Sequence, residues 1–127
     1  MSPISLERLS SCHEQLQELF KKVDEYYPIM VIEGHRGKED QDKAVKEGKS
    51  KVNWPNGKHN SFPSNAVDVA FLPLDWNDNK KWYHFSGFVL GVAKTLRLNV
   101  RWGGDWDMDL DFKDQKFLDL CHWEIKD

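Results

Sequence analysis

Cysteine is scarce in this chain. Of 127 residues only Cys12 and Cys121 carry thiols, so a disulfide framework is excluded; a single bridge is the most the chain can form, and two free buried thiols are expected. Long apolar runs are lacking too. No stretch approaches the ~20 residues needed to cross a bilayer, and Met1-Ser2-Pro3-Ile4-Ser5 shows no basic segment followed by an apolar one, which excludes membrane insertion and leads to the expectation of a cytoplasmic product without an export signal. A basic excess is missing as well. The net charge is −3 and the pI about 5.9, whereas neutralising a phosphate backbone needs a concentrated basic face, so nucleic acid is not the expected partner. The most basic stretch, Lys38 to Lys58, interleaves its lysines with Glu39, Asp40, Asp42 and Glu47. It reads as a solvated helix face and loop.

What is present suits one domain spanning 1–127, long enough to bury a hydrophobic core without covalent help. Hydrophobic residues make up 39% and charged residues 31%, with a generous six Trp and seven Phe, some of which can line a cleft. A structural metal site built from Cys12, His13, Cys121 and His122 is disfavoured, because neighbours on a helix point about 100° apart and do not converge on one ion.

From Leu6 to Tyr27 the apolar positions Leu6, Leu9, Leu16, Leu19, Phe20, Val23 and Tyr27 recur at helical spacing before Pro28. They predict one amphipathic helix over about 5–27, with His13 on its surface beside the apolar stripe. A motif-bearing core over about 29–125 follows. Ile29 to Ile32 reads as a strand that delivers Glu33, His35 and Arg36 to a turn. Lys38 to Glu47 reads as a polar helix with a thin apolar face, Ala44 and Val45, stopped by Gly48. Pro55, Asn56-Gly57 and Pro63 mark Lys49 to Pro63 as irregular. Ala66 to Leu72 is a strand interrupted by Asp68, and Trp82 to Leu96 is a second periodic helix. Val100 to Trp102 and Cys121 to Ile125 are short strands. The class is α+β.

An Asp in a mostly apolar strand is costly to bury unless it is paired or bound to a metal. For Asp68 alone, a turn cap or an Arg partner explains it, and His59 alone is an ordinary loop histidine. Taken with His122 they supply two imidazoles and a carboxylate, the three protein ligands of a catalytic zinc with a fourth position open to water. The spacing is less specific than His-Glu-x-x-His and leaves both explanations open. It also leaves open whether Asp119 or Glu124 is the accompanying proton carrier. In a regular strand Glu124 shares a face with His122, so Asp119 has to sit on a bend before the strand.

Four segments occur in a telling order: Glu33-Gly34-His35-Arg36, Lys58-His59 through Ala66-Val67-Asp68-Val69-Ala70, Trp102-Gly103-Gly104-Asp105-Trp106 and Asp119-Leu120-Cys121-His122-Trp123-Glu124. Over about Ile29 to Ile125 the chain resembles the zinc D-alanyl-D-alanine carboxypeptidase and L-alanyl-D-glutamate endopeptidase family of peptidoglycan, in its small bacteriophage endolysin branch. The resemblance implies a hedgehog/DD-peptidase-like fold, a small antiparallel sheet flanked by helices. It implies one zinc ion on His59, Asp68 and His122. It also implies Asp119 as general base and acid, and Arg36 as holder of the scissile carbonyl, with a fork that suits a substrate carboxylate. Glu124 becomes a supporting carboxylate. Eight residues separate His59 from Asp68, more than in the commoner form of the motif, so Phe62-Pro63-Ser64 is taken as a loop insertion.

The implied activity is cleavage of the peptidoglycan stem peptide, between L-Ala and D-Glu, by a monomer that reaches the wall at lysis with the help of a phage holin. Trimming of the stem terminus by a D,D- or L,D-carboxypeptidase and wall binding without catalysis are the alternatives. Trp102, Trp106 and Trp123 are candidates to flank the cleft, with core packing an equal alternative for each. Asp105, Asp107, Asp109 and Asp111 alternate along the chain, but the Gly and distal Glu of a calcium loop are absent, and a solvated acidic loop is expected. His35 and His84 lack ligand spacing.

Overall fold

The computed structural model describes residues 1–113 and 118–126. Its elements run α1 (Pro3–Ser10), α2 (Glu14–Asp24), β1 (Ile29–Glu33), α3 (Lys38–Lys46), β2 (Ala66–Phe71), α4 (Asn79–Thr95), β3 (Val100–Trp102) and β4 (His122–Ile125). The strands form one sheet in the order β1-β2-β4-β3, every pair antiparallel. The α+β class holds.

The N-terminal segment differs from expectation, for it is two helices. Ser11 turns its hydroxyl back onto the Arg8 carbonyl, a side-chain bond that competes with helix continuation. The imidazole of His13, the N-cap of α2, then accepts from the Gln15 amide. Between them Cys12 docks on the loop before β2: Ser64 N donates to Ser11 O, and His13 N donates to Ser64 O. No Pro or Gly marks the break, so the apolar periodicity runs straight across it.

The break lets α1 cover the free edge of β1. The Val31 amide donates to Ser5 Oγ and Arg8 Nη1 donates to the Val31 carbonyl, which satisfies backbone groups that an edge strand otherwise exposes. The core lies on the opposite side of the sheet from the polar row described below. Val67, Val69 and Trp123 project there against Leu16, Phe20 and Val23 of α2 and Phe85 and Val89 of α4, all fully buried. Burying each such side chain stabilises by about 1.5–3 kcal/mol. Trp102 and Trp123 stack on one another at 6.0 Å. They belong to this core, and packing is the alternative that holds for both.

Candidate metal centre

The pairing of β2 with β4 assembles the site. Asp68 and His122 are direct partners in the register, so both side chains leave the same face of the sheet, and Glu124, two residues on, joins them. His59 comes from the irregular loop. Its carbonyl accepts from the Arg36 amide and its Nδ1 lies 2.7 Å from the Gly34 carbonyl, so the turn after β1 holds the ring. Gly34 has to be glycine: an added Cβ would lie 2.2 Å from Arg8 O and 2.4 Å from Ser11 Oγ.

The three expected ligands converge. Asp68 Oδ1 stands 3.4 Å from His59 Nε2 and 3.2 Å from His122 Nδ1, and one donor atom from each of the three residues lies within 4.8 Å of the others. The outward nitrogens are occupied. A carbonyl only accepts, so His59 Nδ1 carries the hydrogen toward Gly34 and Nε2 is left with a lone pair. His122 Nε2 is 2.8 Å from Glu124 Oε1. His59 Nε2 is buried without a hydrogen-bond partner, an expensive arrangement unless something accepts that lone pair. Two imidazole nitrogens, each ring steadied from behind, and one carboxylate oxygen fit a divalent metal ion.

Electrostatics follow from the crowding. Burial alone would raise Asp68, but the hydrogen bond from His122 and the closeness of His59 outweigh it and hold the carboxyl far below its usual range. Burial would lower His122, yet its hydrogen bonds to Asp68 and Glu124 lift it to about 9 in the metal-free chain. Asp119 lies on a turn before β4, with the His122 amide donating to its carbonyl, as the residue pattern required. Burial, then the charge of Asp68, raises its carboxyl. Its backbone amide donates to Gly103 O while Gly103 N donates to His122 O, and Cys121 Sγ lies 3.4 Å from its Oδ1.

Arg36 is committed more fully than the sequence suggested. Its Nε and Nη2 grip Glu33 at 3.0 and 2.9 Å, and Nη1 donates to Gln41 Oε1 at 3.0 Å. The fork expected to suit a substrate carboxylate is thus filled by the chain's own Glu33. The remaining N–H groups of a five-donor guanidinium stay available for a neutral acceptor such as a carbonyl oxygen.

Gln41 was not singled out from the sequence, yet it is 1% exposed. Its Oε1 accepts from Arg36 and Asn60, and its Nε2 donates to Ser50 Oγ and Val52 O. A signal existed: Gln41 precedes buried Ala44 by three positions and shares its helix face.

The other candidates separate clearly. Trp106 flanks the site, its ring 5.4 Å from that of His122. His35 packs on Phe62 and meets Ser61 O, and His84 meets Tyr27; neither joins the cluster. Cys12 and Cys121 are free, the first buried and the second half-buried. Asp105, Asp107 and Asp109 bring carboxylates within 4.8 Å of one another. Asp107 and Asp109 are exposed, but Asp105 is buried and takes the Leu110 amide on Oδ2, so the acidic loop is not solvated throughout.

Comparison with known proteins bears on the fold and the family. No curated protein matches the sequence. Among solved structures, the L-Ala D-Glu endopeptidase ChiX of Serratia marcescens is similar in fold, with TM-score 0.75 at 24% identity over 99% of this chain and 89% of that one. The family model described as phage L-alanyl-D-glutamate peptidase matches residues 1–126, N-terminal helices included. The chain belongs to the phage L-alanyl-D-glutamate peptidase family.

Proposed function

We propose that this peptidase of peptidoglycan is zinc-dependent, that it cuts the stem peptide between L-Ala and D-Glu, and that it serves as an endolysin in host lysis. The observation that carries the metal is the convergence of His59 Nε2, Asp68 and His122 Nδ1 with both outward nitrogens already held. A zinc ion held by His59, Asp68 and His122 would lower the pKa of a coordinated water to ~7 and would polarise the scissile carbonyl. Asp119 takes the proton of the attacking water and returns it to the leaving amine, a role that its upward-shifted carboxyl suits. Glu124 is unsuited to that transfer, because one oxygen meets His122 and the other meets Arg101. Arg36 offers its unengaged N–H groups to the carbonyl oxygen as negative charge develops, with Glu33 and Gln41 fixing the plane.

Delivery to the wall is assigned to a membrane lesion made by a phage holin, with the enzyme acting as a monomer. Among the described residues no helix is long and apolar enough to cross a membrane.

Purified peptidoglycan digested with the zinc-loaded chain, with and without a chelator, tests the proposal through mass spectrometry of the products. New L-Ala carboxyl ends and D-Glu amino ends that vanish with the chelator are expected. Free D-Ala with no loss of turbidity would make it a carboxypeptidase. Intact wall, where a control lysin works, would make it a binding module.

A further inference from the structure

We infer that Arg101 is a positioning residue for the metal centre, acting through Glu124 to fix which nitrogen of His122 faces the ion. The inference rests on the reading of His122 as a ligand.

Arg101 and Glu124 are direct partners across β3 and β4. Arg101 Nη2 lies 2.7 Å from Glu124 Oε2, while Glu124 Oε1 lies 2.8 Å from His122 Nε2. Glu124 is 4% exposed, so its two oxygens are divided between one cation and one imidazole with little competition from water. Trp106 closes the row, its ring 5.4 Å from that of His122 and 5.7 Å from the Arg101 guanidinium.

The chemical problem solved is one of tautomers. In neutral His122 only one nitrogen keeps a hydrogen, and two carboxylates compete for it: Asp68 Oδ1, 3.2 Å from Nδ1, and Glu124 Oε1 at Nε2. If the hydrogen stays on Nδ1, the nitrogen that faces His59 and Asp68 has no lone pair for a metal. Arg101 occupies Glu124 Oε2 and so aims Oε1 along the sheet at Nε2. The hydrogen is thereby kept at Nε2 and the lone pair at Nδ1. Outer partners of this kind typically contribute 10–100-fold in metal affinity.

The test uses the full chain with zinc and with Co(II), comparing wild type with Arg101→Met, Arg101→Lys and Glu124→Gln. Affinity is read by chelator competition, ligand geometry by the visible Co(II) spectrum, and the tautomer by ¹⁵N imidazole shifts of the zinc-bound protein. Losses of about 10–100-fold in Arg101→Met and Glu124→Gln, an altered Co(II) spectrum, a shifted His122 signal and partial recovery in Arg101→Lys are expected. A residue that merely stabilised the sheet would lower the melting temperature and leave the tautomer signal in place. Arg101→Met, or Arg101→Lys if the former does not fold, with wild-type affinity and spectra would overturn the inference while leaving the ligand set intact. Wild-type protein that binds no metal, or binds it equally after His59→Ala, would remove the ligand reading itself and the inference with it.

Discussion

At the residue scale the two acidic residues around His122 divide in kind. Asp119 is pushed toward its protonated form by burial and by Asp68. For Glu124, burial acts the same way but hydrogen bonds from His122 and Arg101 prevail and bring it down to about 2. A proton carrier has to take up a proton and give it back, and of the two only Asp119 is shifted toward holding one. Asp119→Ala should therefore keep bound zinc, measured by metal analysis of the dialysed protein, while turnover on stem peptide falls by about 10²–10⁴. Glu124→Ala should show the reverse balance, weaker metal retention with appreciable turnover at saturating zinc. Equal turnover losses in the two variants would remove the distinction. Arg36 admits a similar test. Lysine keeps the charge but cannot hold Glu33 with two parallel bonds, reach Gln41 and still present donors to substrate. Arg36→Lys should lower kcat by about 10²-fold, with KM little changed because the Glu33 contact is not made to substrate. A rise in KM alone would instead mark Arg36 as a general anchor.

At the element scale the site depends on how closely the turn after β3 approaches the turn before β4. Gly103, just after β3, sits against the turn that carries Asp119: an added Cβ would lie 2.1 Å from Asp119 O. Gly103→Ala must displace that turn, and because none of the three candidate metal ligands lies within it, the expected result is nearly full zinc binding with at least a tenfold loss of kcat, about 1.4 kcal/mol of barrier. Loss of zinc and activity together would show that β4 moves as well. Strands β1, β2, β3 and β4 were legible in the sequence, because short β-prone runs ending in glycine, proline or acidic turns announce themselves. The pairing was not. That Asp68 faces His122 depends on register between segments far apart in the chain, which residue patterns do not report. Neither did they reveal the interruption at Ser11 to His13, since Ser64, which docks on it, lies beyond β1 and α3, or the polar hub on Gln41, whose one signal was its place on the helix face of Ala44.

At the scale of the whole molecule, folding, protonation and metal binding share one set of groups. In the metal-free chain His122 titrates at about 9 against an ordinary 6.5. A raised histidine adds stability that is complete below 6.5 and is lost as pH rises through 9. Glu124 has fallen to about 2 from 4.5, and Asp68 is displaced in the same direction. These carboxylates add stability above their ordinary values and lose it as pH falls through the depressed ones. The metal-free protein should accordingly be most stable between about 4.5 and 6.5 and melt progressively lower from pH 6.5 to 9. Zinc reverses the upper limb. To coordinate through Nδ1, His122 gives up that hydrogen and keeps the one directed at Glu124, so below pH 9 His122 contributes about one released proton on binding, and affinity climbs with pH until His122 is already neutral. Calorimetric titration near pH 6, where a coordinated water of pKa ~7 keeps its proton, in buffers of differing ionisation enthalpy, should return that single proton. The gap in melting temperature between zinc-loaded and metal-free protein should widen from pH 6.5 toward 9. A proton count near zero, or a gap that stays constant, would mean that His122 is not the group displaced.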